Sequence, residues 1–185
     1  MTTLLRPHTK AETPDTLNVS RAAFPGDPGE DIAQLVNELL HDPTAQPRLS
    51  LVALIDNTIA GHALFTAVTI QHDNTPRPIT ASILAPLAVL PDHQNQGLGG
   101  QLVQHGLNHL REQGTDLLFV LGHPDYYPRH GFTPAGTLGY NAPYPIAPEN
   151  ADAWMVQTLR PDFTRHAPGT VRCADALMHE RHWVE

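Results

Sequence analysis

The segment Leu87-Ala-Val-Leu-Pro-Asp-His-Gln-Asn-Gln-Gly-Leu-Gly-Gly100 is where this sequence is best equipped for chemistry. An apolar run of β type ends, a glycine-rich turn follows, and an amphipathic helix begins. Several backbone N–H groups and a helix N-terminus then meet at one point, which suits an anion. Gly97 and Gly99 carry no Cβ, so the backbone can approach a phosphate closely. Two familiar nucleotide motifs fit poorly. A P-loop needs Lys-Ser/Thr after its glycines, whereas Gly100 is followed by Gln101 and Leu102; a dinucleotide fingerprint needs a third glycine where Leu102 stands. A glycine turn that merely caps a helix is the other reading of the same residues.

Further residues capable of chemistry read as structural. His105 and His109 stand one helical turn apart, but no Glu-x-x-His pattern or third ligand accompanies them, so no metal is expected and both should face solvent. His179 and His182 lie in a charged tail and read the same way. Cys173 reads as a small buried residue in a strand. Trp154 and Met155 read as packing against the sheet.

The elements that must position the glycine turn follow from periodicity. Leu4 and Leu5 start a short strand. Ile32, Leu35, Val36, Leu39 and Leu40 recur at helical spacing, with Glu30 and Asp31 near the start. Leu49–Ile55 and Ile59–Ile70 are β-type runs joined by an Asp56-Asn57 turn, Gln71–Pro78 is a loop, and Ile79–Leu90 is a third apolar run. Pro86 interrupts that run and cannot donate to a ladder, so it belongs at an edge, a bulge or a place where two strands part. Gly97–Gln113 is helical, with Leu98, Leu102, Val103, Leu107 and Leu110 on one face, and Gly114 stops it. Leu117–Leu121 is a dense buried strand, and Pro124–His130 is one short helix or turn closed by Gly131. Strand-like pieces recur near Trp154–Leu159 and Thr170–Ala176. Strands, a helix and then a strand at Leu117 predict an α/β fold with a mixed sheet and at least one parallel crossover. No repeat or linker divides the chain, so residues 1–185 are expected to form one domain.

Bulk properties limit the function classes. A chain of 185 residues can bury a real core. The formal net charge of −8 argues against general nucleic-acid binding, which needs a basic surface. No run of apolar residues is long enough for a membrane span, the first ten residues carry no signal-peptide pattern, and Cys173 has no partner for a disulfide. A cytoplasmic protein is expected.

With its flanks included, the glycine turn resembles a known motif. Gln94-x-x-Gly97-x-Gly99 after Val89-x-Pro91 is similar to the acetyl-CoA-binding motif of GNAT N-acetyltransferases, and Leu118-Phe-Val-Leu-Gly-His-Pro-Asp-Tyr-Tyr-Pro-Arg-His-Gly-Phe132 resembles that family's next motif. The resemblance covers about residues 84 to 132, and points to a bacterial subgroup of largely unassigned acetyltransferases. It implies a GNAT domain with a central mixed sheet flanked by helices, and acetyl-CoA as co-substrate without a metal. The reaction implied is transfer of an acetyl group to a primary amine on a small molecule or peptide. Backbone N–H groups across Gln94, Asn95, Gln96, Gly97, Leu98, Gly99, Gly100 and Gln101 would hold the pyrophosphate. Leu87, Ala88 and Val89 would pair with the pantetheine arm, and an N–H near Leu87 would polarise the thioester carbonyl. Tyr127, four residues before Gly131-Phe132, would be the general acid. The glutamate that many members place on the strand before the loop is missing, as is the Asn or Ser after the fifth strand, where His123-Pro124 stands. His72, His123, Asp125 or a water chain are left as bases. The acceptor pocket is expected from Phe24–Pro47 and Gly136–Trp154, and dimers are frequent in the family. An acyl-CoA-binding sensor without turnover is the alternative.

Overall fold

A computed structural model describes residues 2–71, 79–163 and 168–184. The chain runs β1 (Thr3–Pro7), α1 (Thr13–Ala23), α2 (Asp27–His41), β2 (Leu49–Ile55), β3 (Thr58–Gln71), β4 (Ala81–Val89), α3 (Leu98–Glu112), β5 (Leu117–Leu121), β6 (Thr133–Pro134), β7 (Tyr140–Asn141), β8 (Trp154–Thr158) and β9 (Gly169–Arg172), with short 3₁₀ turns between. The β2–β3 hairpin turns at Asp56 and Asn57, whose φ of 47° and 66° give the twist that a two-residue hairpin needs. The loop read at Gln71–Pro78 lies largely outside the described residues.

One mixed sheet has the order β1-β2-β3-β4-β5-β8-β6, and β9 pairs with the far end of β3 and with β7. β4 and β5 are parallel, joined by α3 as the crossover, and the β2–β3, β3–β4 and β5–β8 pairs are antiparallel. The mixed sheet with a parallel crossover matches the sequence reading.

Each face of the sheet has its own core. Leu98, Leu102, Val103, Leu107 and Leu110 of α3 pack on Phe65, Leu84, Leu118 and Val120. On the other face Leu35, Val36 and Leu39 of α2 meet Leu64, Val68, Ile83 and Phe119, while Val19 of α1 meets Val52, Leu54, Ile59 and Ala88. Trp154 stacks on Phe119 with ring centroids 5.2 Å apart and planes 10° from parallel, and its Nε1 donates to Tyr140 O at 3.0 Å. With Met155 also buried, both residues pack as core.

Two helical features escape the periodicity reading. No element was expected over Thr13–Ala23, yet α1 forms there with Pro14 in its first turn and only Thr16, Val19 and Ser20 buried. Two hydroxyls among three buried residues leave little apolar stripe to read. α2 begins at Asp27, more than a turn before the apolar spacing that starts at Ile32, with Pro28 in its first turn, where a missing N–H costs nothing. Among the described residues no helix is long and apolar enough to cross a membrane, and no group of three or more metal-ligating side chains occurs.

Candidate active site

β4 runs beside β5 only from Ala81 to Leu84, opposite Leu117 to Val120. Beyond that the two strands part. β4 stays with β3 through Ala63↔Leu87, His62↔Ala88 and Gly61↔Val89, after a register shift between Ala63 and Phe65. The break falls at Ala85–Pro86, whose peptide is cis. Exposure follows the geometry: Ile83 and Leu84 are buried, and Ala85, Pro86 and Leu87 are half-buried. The proline thus marks a parting of strands, one of the three places the sequence allowed.

The turn after β4 is braced by a backbone bond to β3 and by two of its own side chains. Leu90 N–H donates to Ala60 O at 2.8 Å, Gln94 Nε2 to Val89 O at 2.9 Å, and Gln96 Nε2 to Asp92 O at 2.8 Å. Asn95 and Gly97 both take positive φ, 58° and 84°. Gly97 is the N-cap of α3 and no side chain caps the helix; the first backbone bond of the helix runs from Gln101 N–H to Gly97 O at 3.0 Å. The leading N–H groups of α3 therefore remain available to a ligand, and the helix dipole favours an anion there. A Cβ on Gly99 would lie 2.9 Å from the Tyr126 hydroxyl, and one on Gly100 would lie 3.1 Å from His130 Cε1. These glycines therefore admit the Tyr126–His130 turn as well as leaving the backbone bare.

The predicted residues divide into two kinds. Gln94, Asn95, Gln96 and Gly97 are exposed on the turn, Gln101 is exposed on α3, and Gly99 and Gly100 are half-buried. Leu98 is buried in the α3 core, and Ala88 is buried against Val19 and Val52, so only their backbone groups face outward roles. Leu87 and Val89 are half-buried on β4.

A cavity of about 610 Å³ opens where the strands part, lined there by Pro86, Leu87, Gly122, His123 and Tyr127. Tyr127 is 8% exposed. Its ring lies so close to Gly122 that a Cβ there would meet Tyr127 Cε2 at 2.4 Å. It also packs edge-on to Tyr126 and Phe132, with centroids 5.0 Å and 5.6 Å away. Burial, reinforced by Tyr126, raises the phenol above its ordinary value, so the hydroxyl keeps its proton through neutral pH.

The opposite wall of the cavity comes from Phe24, Asp31 and Ile32 and from the C-terminal Leu177, His182 and Val184. The first helices were expected there, but Gly136–Trp154 instead lines a separate hollow of about 440 Å³. His182 is half-buried, not solvent-facing: burial first, then Arg181 and His179, hold its pKa below the usual histidine range, and its Nε2 has no hydrogen-bond partner. Of the residues considered as bases, His123 lines the cavity, Asp125 is exposed outside that lining, and His72 lies outside the described residues. Sequence reasoning missed Tyr126, Arg129 and the tail. The Tyr126-Tyr127 pair was the available signal for the first: Arg129 Cζ sits 5.0 Å from the Tyr126 ring centroid, which brings a cation beside the turn.

Comparison with known proteins agrees with this geometry. Residues 5–135 match the acetyltransferase (GNAT) domain family. The N-acetyltransferase YjhQ of Escherichia coli K12 is 48% identical over 144 residues, covering 77% of this chain and 78% of the relative. The N-acetyltransferase YhbS of the same strain is 32% identical over 140 residues, covering 75% and 78%. The crystal structure of E. coli YhbS in complex with CoA superposes with a TM-score of 0.82 at 28% identity, covering 96% of this chain and 92% of that one. A GNAT family acetyltransferase from Brucella melitensis in complex with acetyl-CoA gives a TM-score of 0.73 at 25% identity, covering 95% and 98%. With both its glycine turn and its parted strands in the arrangement that this match spans, the chain belongs to the GNAT acetyltransferase family.

Proposed function

We propose that the protein transfers the acetyl group of acetyl-CoA to a primary amine on a small molecule or peptide, with the whole chain acting as one catalytic domain in the cytoplasm. The parting of β4 from β5 carries this reading, because Leu87 lines the cavity together with Tyr127 and also lies beside Gly99 at the uncapped start of α3. The binding of CoA by YhbS and of acetyl-CoA by the Brucella protein supports the choice of co-substrate. N–H groups from Gln96 to Gly100 hold the pyrophosphate, while the Gln101 N–H predicted with them is bonded to Gly97 O. The pantetheine arm lies along Leu87–Val89 in the manner of an added strand.

The reaction follows from those contacts. The neutral amine attacks the thioester carbonyl carbon, and a backbone N–H near Leu87 steadies the oxygen as it gains charge. The tetrahedral intermediate collapses, the C–S bond breaks, and Tyr127 gives its proton to the departing thiolate. The amine loses a proton to solvent or to a base at the cavity.

A binding module without turnover is the second reading, favoured by one observation: β4 carries no carboxylate to deprotonate the amine. Calorimetric titration with acetyl-CoA tests the shared part. Gly97→Asp adds a side chain tolerant of positive φ and sets a carboxylate where the pyrophosphate binds. Micromolar binding by the wild type, lost in Gly97→Asp, is expected, and absence of binding by the wild type would sink the assignment. Release of CoA thiol in the presence of an amine panel then separates enzyme from module.

A further inference from the structure

Away from the parted strands, a second cavity of about 480 Å³ sits where the end of β1, the start of β2 and the end of α2 meet. Its polar lining is His8, Lys10, His41 and Arg48 with the hydroxyls of Thr13 and Ser50, and no carboxylate is among the lining residues. Two cations without a carboxylate between them, Lys10 and Arg48, are set against a chain whose 19 acidic residues outnumber its 11 lysines and arginines. Among the described residues neither Lys10 nor Arg48 forms an ion pair. Two carboxylates lie close to lining residues in sequence: Glu12 is occupied by Arg6 and by the Thr9 N–H, and Asp42, which feels the charge of Arg48, accepts from the N–H groups of Thr44 and Ala176. The end of α2 adds partial negative charge, and His41 Nδ1 covers one of its carbonyls, Asn37 O, at 2.8 Å.

Ser50 supplies a directed donor. Its Oγ lies 2.8 Å from Nε2 of His62, which is fully buried, and His62 Nδ1 has no partner. A proton on Nδ1 would leave a buried N–H without an acceptor. A proton on Nε2 leaves only a lone pair unused and donates to Ser50 Oγ. In that arrangement the serine cannot give its own proton back to the histidine, so the Ser50 O–H is free to donate elsewhere, and the cavity lies beside it. A guanidinium fork, an ammonium and a serine O–H form a set suited to a tetrahedral oxyanion.

We propose that this cavity is a binding site for a small phosphomonoester, distinct from the acetyl-transfer site. β1 and β4 are three strand steps apart, about 14 Å, and the two cavities share no lining residue. The volume leaves room for a group beyond the phosphate itself. Ligand occupancy would tie β1 and β2 to α2, whose other end lines the acetyl-transfer cavity through Asp31, Ile32 and Leu35.

Calorimetric titration with inorganic phosphate, glycerol 3-phosphate and acetate, at constant ionic strength set by chloride, tests the proposal. Saturable binding of both phosphates is expected, with acetate at least tenfold weaker. Arg48→Ala with Lys10→Ala should weaken phosphate binding tenfold or more, and Ser50→Ala alone should weaken it several-fold. Circular dichroism and thermal melting show that each variant is folded. Gly97→Asp should leave the affinity unchanged, since the turn before α3 is the other place where phosphate could bind. Absence of saturable phosphate binding would overturn the proposal. So would loss of binding in Gly97→Asp but not in the Arg48/Lys10 variant, or acetate binding as tightly as phosphate.

Discussion

Two buried side chains show how the same physical cause gives opposite consequences. Burial raises the pKa of Tyr127 and lowers that of His62, because in each case it disfavours the charged form. For Tyr127 this keeps the hydroxyl protonated at neutral pH, so that in the proposed reaction it stands ready beside the departing thiolate, while making it a weaker acid than a free phenol. Tyr127→Phe should reduce kcat roughly 100-fold or more and leave the acetyl-CoA Kd unchanged. Steady-state kinetics beside calorimetry checks this, and an unchanged kcat would remove the phenol from the mechanism. For His62 the buried imidazole is pushed to about 3 from its usual 6.5, chiefly by desolvation and then by His8. Its neutral form is the one that folding favours, so this contribution to stability is complete above pH 6.5 and is lost as pH falls toward 3. Over the full range that amounts to on the order of 5 kcal/mol. Urea melts at a series of pH values should show His62→Gln with a shallower loss of stability between pH 6.5 and 4 than the wild type. Parallel curves would mean that His62 does not carry the acid limb.

Elements set where those side chains can stand, and here the helix α3 is informative. Gly106 lies in its middle, and a Cβ there would sit 2.1 Å from Phe65 Cζ. Alanine is the better helix former by about 1 kcal/mol, whereas forcing an extra methyl into a packed contact costs about 1–3 kcal/mol. The steric term should win because the obstacle is a ring fixed on β3. Gly106→Ala is therefore expected to destabilise the protein, measured as a lower denaturation midpoint at unchanged slope. A raised midpoint would show that Phe65 can move aside. Most of the elements were legible for plain reasons: α3, the β2–β3 hairpin and β5 each combine a clear period with a clear terminator. The glycine turn and Tyr127 were legible as a motif, and Pro86 as a breaker in an apolar run. α1 was not, because it buries two hydroxyl residues and a single valine. β6 and β7 were not either, at two residues each; they are strands only because β8 and β9 lie beside them.

At the scale of the molecule, the cavity at the parted strands is built from parts far apart in sequence. One wall is the β4–Tyr127 side, and the other joins the start of α2 to the last turn of the chain. No local pattern announces that second wall, since His179–Val184 reads as a polar tail until Trp183 is seen to anchor it. Trp183 is buried, its Nε1 donates to Leu177 O at 2.8 Å, and its ring meets Trp154 edge-on at 5.6 Å. The tail is thus tied to the core on one side of Trp183 while its neighbours His182 and Val184 face the cavity. Val184 is 73% exposed, so a larger side chain there has room and should not strain the fold. It also lies on the wall opposite β4, away from the turn proposed to hold the pyrophosphate. Val184→Trp should therefore change KM for a bulky amine such as phenethylamine several-fold relative to a slender one such as ethylamine. The acetyl-CoA Kd should stay the same. Equal effects on both amines, or a shift in acetyl-CoA affinity, would place the tail outside the acceptor side of the site.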